Sequence, residues 1–443
     1  MHREAIKQLV QWKQSPYKKP LIIQGARQVG KTWLMKTFGE KHYQRLAYVN
    51  FDNNARMEAL FNGDLDHERL IKGLQIEAGV PIQAENTLMI FDEVQEVPRA
   101  LTSLKYFNEN APQYDIICAG SLLGITLHPG TSFPVGKVDF MDLSPMTFLE
   151  FLEALGHSNY VQLLQSRDFS MIKHFKTALE NLLREYIFVG GMPEVLSRYL
   201  ETHDLQEARR VQVNLLEAYE QDFSKHAPTE IVPRLRLIWQ SIPTQLAREN
   251  RKFIYGLIRE GARAKEFELA LMWLQDAGLL RKLHRIEKPG LPMSAYQDNS
   301  AFKMYLLDIG LLGAMSQLDA KSLLEGHRCF TEFKGALTEQ YALQELQALP
   351  QMMLYYWTAS NATAEVDLVF QWNSEIYPLE VKANENLQAK SLKSFVQKYQ
   401  SQKALRTSLS DFRNESWLIN IPLYALSQLQ GILEDYDSNA KGK

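Results

Sequence analysis

A chain of 443 residues, 45% hydrophobic and 23% charged, is long enough for two to four globular domains at roughly 100–200 residues each. Its net charge of −3 and isoelectric point near 6.4 exclude a protein that coats nucleic acid indiscriminately, while leaving room for a local basic face. The N-terminal MHREAIKQLVQWKQ is amphipathic rather than a signal peptide, no apolar run approaches the ~20 residues that span a bilayer, and Cys118 and Cys329 lie far apart; a cytoplasmic setting with no membrane partner is expected.

The first element is a short apolar strand, Leu21 to Ile23, which runs through GARQVGKT into a helical pattern. Gly25, Gly30, Lys31 and Thr32 match G-x-x-x-x-G-K-[ST]. The pattern predicts that backbone N–H groups of Gly25, Ala26, Arg27, Gln28, Val29 and Gly30 wrap phosphates, that Lys31 reaches the β/γ oxygens of ATP and that Thr32 ligates Mg²⁺. The next strand, RLAYVNFDN, ends in Asn50 and Asp52; Asn50 is either a restraint on a catalytic carboxylate or an ordinary turn residue. Helical stretches follow near residues 55–62 and 68–78.

NTLMIFDEVQ is an apolar strand ending in Asp92 and Glu93. Asp92 is expected to hold the metal through water and Glu93 to polarise the attacking water as catalytic base. YDIICAGSLLG ends in Ser121, either a helix N-cap or a contact to the γ-phosphate. Strands alternating with helices indicate an α/β, P-loop NTPase parallel sheet with its ligand at the carboxyl edge, over residues 1–145.

From Pro145 the pattern is almost wholly helical, and residues 146–248 are expected to form a lid or connector. Gly190 and Gly191, with Pro193, mark a hinge or a plain interhelical turn. Residues 249–300 fit a winged helix-turn-helix. Between Arg248 and Lys288 ten Lys/Arg face six acids, an excess of four in a chain that is acidic overall, as expected of a DNA-contacting face or of an ordinary solvated one.

Residues 301–443 end the chain with an α/β module. Strand alternation in AEVDLVFQWNSEIYPLEVKAN puts Glu365 and Asp367 on one face, and Glu380 and Lys382 on one face of the next strand, with QWNSE as the turn. The upstream helix FTEFKGALTEQYALQEL supplies Glu339, and NLQAKSLKSFVQKYQ makes a basic helix carrying Lys390, Lys393 and Lys398.

Residues 1 to about 400 resemble AAA-type ATPases of bacteria and archaea whose C-terminal half is a domain of unknown function with a restriction-endonuclease-like core. The resemblance rests on GARQVGKTWL, LMIFDEVQEVP, CAGSLLG, DLSPMTFLEFL, FVGGMPEVL, KMYLLDIGLL and EVDLVF…YPLEVKA, in that order. It implies a D…E-x-K site in which Glu339, Asp367 and Glu380 hold Mg²⁺ and Lys382 orients or deprotonates a water. It also implies a lid that packs on the ATPase core and an arginine supplied by a neighbouring subunit of a homo-oligomer, for which Arg99, Arg184 and Arg198 are candidates. The family usually shows Gly-Arg where this chain has Gly136-Lys137, and lysine lacks the planar fork that suits a phosphate. Two functions of different class fit: an ATP-controlled enzyme that binds and cuts DNA, or an ATP-switched binding or signalling protein with an inactive nuclease-like domain.

Overall fold

The computed structural model describes residues 1–120, 134–248, 251–325, 331–350, 352–359, 363–384 and 389–441. They divide into two units, residues 2–144 with 276–279, and residues 145–275 with 280–443.

In the first unit β1 (Leu21–Gln24), β2 (Arg45–Asn50), β3 (Thr87–Asp92), β4 (Asp115–Ala119) and β5 (Asp139–Asp142) form a parallel sheet in the order β2-β3-β4-β1-β5. Every residue of β3 and β4 is buried, as a parallel strand covered on both faces requires. Phe51, Phe61 and Phe91 pack with ring centroids 5.3 to 6.1 Å apart. Cys118 lies in the same core as a free thiol, its pKa pushed up by burial; Cys329 lies outside the described residues. Parallel strands bring their carboxyl ends to one edge, so the loops after β1 and β3 meet there. Two helices matter for that edge, α1 (Ala5–Gln14) and α2 (Lys31–His42).

The second unit combines helices with eight strands: β6 (Leu280–Ile286), β7 (Gln297–Leu306), β8 (Leu354–Thr358), β9 (Glu365–Trp372), β10 (Glu375–Val381), β11 (Ala404–Ser408), β12 (Arg413–Asn414) and β13 (Leu418–Pro422). Their order is β12-β13-β11-β10-β9-β8-β6-β7. Among the described residues of 249–300 the one helix longer than a turn is Ala264–Asp276, followed by the β6–β7 hairpin. That hairpin is not a free-standing wing, because β6 pairs in parallel with β8 and so extends the C-terminal sheet. The division expected at residue 300 falls within β7. Among the described residues no helix is long and apolar enough to cross a membrane.

A buried polar junction ties distant motifs of this unit together. Asp308 caps the helix Ile309–Met315 through Leu311 N–H at 3.0 Å and accepts Gly191 N–H at 2.6 Å. Gln344 donates to Asp308 at 3.3 Å and to the Tyr186 hydroxyl at 3.0 Å, which in turn donates to the Met146 carbonyl at 2.6 Å. A Cβ on Gly191 would meet the Met146 carbonyl oxygen at 2.1 Å, and one on Gly190 the Asp308 carboxylate at 2.3 Å. The glycine pair is therefore a close-packed contact, and its place in the junction accounts for both residues being small.

Glu345 belongs to this junction, accepting Phe148 N–H at 2.7 Å. Burial, with the charge of Glu150 nearby, raises its pKa from 4.5 to about 8. The folded protein thus binds this proton more tightly than the unfolded chain, so stability is full in acid and falls as pH rises from the ordinary carboxylate range to about 8. Glu345→Gln, which keeps the acceptor without the charge, is expected to flatten this dependence and raise Tm at pH 8, by roughly 2–4 °C for each kcal/mol relieved. Thermal melts of both proteins at pH 5.5 and pH 8 measure it; parallel curves would refute the assignment.

Candidate nucleotide site and carboxylate cluster

β1 ends at Gln24 and the chain turns through Gly25, with φ of +142°, to Gly30, with φ of +96°, before α2 begins. A Cβ on Gly25 would lie 2.4 Å from the Leu143 carbonyl oxygen, so only glycine fits that start. Gly30 caps α2 without a side-chain hydrogen bond, and no acid stands in the first turn, which leaves the amide end of the helix electrostatically open to an anion. Gly278 lies so close that a Cβ there would come within 2.9 Å of the Ala26 nitrogen.

Lys31 is 7% exposed and donates to the Gly25 and Ala26 carbonyls at 2.8 and 2.7 Å. Burial pulls its pKa down to about 8, against the opposing charges of Glu93 and Asp92. Thr32 donates its hydroxyl to Asp92 at 2.7 Å, and Tyr48 donates to the same oxygen at 3.0 Å. A hydroxyl and a carboxylate in contact form a hard oxygen donor pair that suits Mg²⁺. The expected residues Gly25, Ala26, Arg27, Gln28, Val29, Gly30, Lys31, Thr32, Asp92 and Glu93 therefore converge on one edge of the sheet; Ser121 lies outside the described residues.

Glu93 follows β3 with φ of +51°. Gln95 donates to its carboxylate at 2.6 Å, and the Asn50 side chain accepts Asp52 N–H at 2.8 Å, shaping a turn. Arg3 carries no motif signal, yet it is 4% exposed and donates to the Val29 carbonyl at 2.9 Å and the Ser144 carbonyl at 2.6 Å. It clamps the phosphate-binding loop from outside. Lys137 pairs with Glu109 at 2.9 Å. Arg99, though exposed, donates to the Phe61 and Gly63 carbonyls at 2.8 and 2.9 Å; Arg184 is half-buried and pairs with Glu180, and the exposed Arg198 pairs with Glu201.

In the second unit β9 and β10 pair antiparallel, from Trp372 opposite Glu375 to Leu379 opposite Leu368. Asn373 and Ser374 turn the chain with φ of +45° and +69°, the conformation that two-residue hairpins favour. The expected convergence of carboxylates is met with cations rather than left open. Glu339, 2% exposed, accepts hydrogen bonds from Arg251, from the Tyr305 hydroxyl and from Lys303, the last at 2.9 Å. Lys303 also donates to Glu365 at 2.6 Å. Asp367 accepts Val381 N–H at 2.8 Å, and Lys382 pairs with Glu380 at 2.6 Å. One buried oxygen of Glu380, Oε2, has no hydrogen-bond partner among the described residues.

Burial alone would disfavour every charge here. Arg251 and Lys303 nonetheless hold Glu339 below the usual carboxylate range, while burial and then the charge of Glu339 push Asp367 up. Among the described residues no three His, Cys, Asp or Glu side chains gather as a metal ligand set. Of the expected trio, Glu339 and Glu380 pair with cations and Asp367 accepts a backbone amide. Arg251, one of the ten basic residues expected to make a charged face, is half-buried against Glu339; Arg259 and Arg285 pair with Glu266 and Asp298. Lys390, Lys393 and Lys398 do lie exposed on the amphipathic helix Lys390–Tyr399, whose Leu392 and Phe395 are buried.

The family model of a AAA domain matches residues 17–152, and models of two domains of unknown function, DUF8612 and DUF4143, match residues 180–322 and 334–425. Nothing among curated proteins matches. Among solved structures, the Walker-type ATPase PABY2304 of Pyrococcus abyssi is 14% identical, with a TM-score of 0.45 over 71% of this chain and 95% of its own. The Aeropyrum pernix ORC1 protein in complex with DNA is 14% identical, with a TM-score of 0.30 over 72% of this chain and 92% of its own. Cdc6p from Pyrobaculum aerophilum is 12% identical, with a TM-score of 0.26 over 72% and 94%. The parallel sheet, the loop at Gly25–Thr32 and the family match together make residues 17–152 a P-loop domain of the AAA type.

Because Arg3 donates to two carbonyls at the border of the loop, Arg3→Ala leaves buried acceptors unpaired, at about 1–3 kcal/mol each. Affinity for a fluorescent ATP analogue is expected to fall about ten-fold or more, with partial recovery in Arg3→Lys. Equal affinity in all three proteins would remove the clamp assignment.

Proposed function

We propose that the protein binds ATP with Mg²⁺ at Gly25–Thr32, hydrolyses it, and uses nucleotide turnover to change how its C-terminal domain engages DNA. The observation that carries this reading is the contact of Thr32 with Asp92 beside a buried Lys31 whose hydrogen bonds go to the loop carbonyls of Gly25 and Ala26. Lys31 exchanges those neutral acceptors for the β/γ oxygens, because charge-assisted hydrogen bonds are roughly twice as strong. Loop amides from Gly25 to Gly30 and the start of α2 bind the remaining phosphate oxygens. Thr32 and Asp92 would hold Mg²⁺, which when bound offsets phosphate charge. Glu93 orients the attacking water and takes its proton, and Gln95 sets the direction of that carboxylate until substrate arrives. The same reading takes an arginine from a neighbouring subunit; Arg99, Arg184 and Arg198 each hold an intrachain partner that such a role would replace.

Engagement of DNA is supported by the exposed lysines of the helix Lys390–Tyr399. This favours a phosphate-backbone contact over base readout, since lysine offers point charges without a fixed fork.

Two measurements test the two halves. Lys31→Ala is expected to weaken ATP binding, whereas Glu93→Gln keeps binding and lowers turnover by about 10²-fold; unchanged turnover in Glu93→Gln sinks the base assignment. Replacing Lys390, Lys393 and Lys398 together is expected to weaken DNA binding and flatten its salt dependence, by up to about 0.9 in slope for each phosphate no longer neutralised. A salt slope equal to that of the wild type would remove this helix from the interface.

A further inference from the structure

The carboxylates of the C-terminal domain stand in the sequence order of a metal-dependent nuclease, but their surroundings are those of a closed ion network. Lys303 has no solvent exposure, sits within β7 and is shared between Glu339 and Glu365 at 2.9 and 2.6 Å. Its ammonium also lies 4.9 Å from the Tyr356 ring centroid. With no solvent exposure and two carboxylate partners, its ammonium is held as part of the cluster, since leaving would unpair two buried carboxylates.

Arg251 is seated by two separate backbone features. Its own φ is +49°, a left-handed conformation that costs a non-glycine residue of order 1 kcal/mol. On the facing helix Thr331–Gln347 residue 335 is glycine, where a Cβ would come within 2.9 Å of Arg251 Nη2. Both features make room for the guanidinium against Glu339, and its side chain is 16% exposed.

We propose that this cluster is a metal-free ion-pair core, in which Lys303 and Arg251 supply the positive charge that a divalent cation would otherwise bring, so that the domain binds its partner without cleaving it. Glu339 has both oxygens engaged, Oε1 by Lys303 and Tyr305 and Oε2 by Arg251. Asp367 is turned to a backbone amide and Glu380 to Lys382. Mg²⁺ needs only one or two carboxylates, with waters completing its shell, so an ion here would have to take Glu380 from Lys382 and sit beside the cations that already hold Glu339. Phosphodiester hydrolysis of the nuclease type needs the metal to activate water and to offset charge on the phosphorane; two fixed cations buried among their own carboxylates do neither. The inference deepens the proposed DNA-engaging role of this domain, and the test separates the two because metal uptake is read without DNA.

The experiment is a Mn²⁺ titration of the nucleotide-free full chain, with free and bound Mn²⁺ distinguished by electron paramagnetic resonance. Four proteins are compared: wild type, Asp367→Asn, which keeps an acceptor for Val381 N–H, Arg251→Met and the double variant. Wild type and Asp367→Asn are expected to take up Mn²⁺ identically. Arg251→Met, which strips one charge from Glu339, is expected to bind Mn²⁺ about ten-fold more tightly or more, a gain that disappears when Asp367→Asn is added. A Mn²⁺ ion bound by wild type and lost in Asp367→Asn overturns the proposal, as does Mn²⁺-dependent cutting of linear, single-stranded or branched DNA by wild type that Asp367→Asn abolishes. Unchanged Mn²⁺ uptake in Arg251→Met overturns the claim that its cation stands in for the metal. Should Arg251→Met fail to fold, the comparison of wild type with Asp367→Asn decides alone.

Discussion

A lysine ammonium with no access to water must be paired where it lies, and around Lys303 that requirement organises the C-terminal domain. Taking such a charge out of water costs several kcal/mol even after relaxation, and two carboxylates at hydrogen-bonding distance answer it. Glu339 comes from the helix Thr331–Gln347 and Glu365 from β9, so a helix and a strand are held to β7 by one cation. The same helix then offers Gln340 to both backbone groups of Leu306 and Gln344 to Ile309 N–H. Its low amphipathicity follows: among its described residues the polar face is as buried as the apolar one, with Glu339, Gln340 and Gln344 each meeting specific partners.

The nucleotide unit treats charge in the opposite way. Lys31 is almost as buried, but its partners are loop carbonyls rather than carboxylates. It is therefore held without being neutralised and stays available for a stronger anion. Thr32 and Asp92 likewise engage each other, as oxygen donors with no cation between them. One chain thus carries a cation waiting for phosphate and a second site where cations have already been supplied. The two sites differ in how their buried lysines are partnered, with carbonyls around Lys31 and carboxylates around Lys303.

Much of the first site was legible in the sequence because its constraints are local. A loop that must present backbone amides needs glycine where φ is positive, and the acid motif must end a buried strand; Gly25, Gly30 and Asp92 meet those demands within short windows. The β9–β10 hairpin was legible for the same reason, from alternation and a two-residue turn. What escaped depends on which distant elements fold against each other. A lone lysine in AFKMYLL was the one available sign of Lys303, since an ammonium in an apolar strand needs a buried partner. Nothing in a run of basic residues distinguished Arg251, which is spent internally, from a solvated neighbour. Arg3 acts on carbonyls, which leave no trace in side-chain composition, and Gly190 and Gly191 read as punctuation until Asp308 and Met146 are seen against them.

Metal stoichiometry tests the account most directly. With a saturating non-hydrolysable ATP analogue, the full chain is expected to bind a single Mn²⁺ ion, which is lost when the nucleotide is removed or Asp92 is replaced by alanine. A second Mn²⁺ that persists without nucleotide and depends on Asp367 would contradict it, because the C-terminal carboxylates would then be holding a metal that Lys303 and Arg251 are argued to displace.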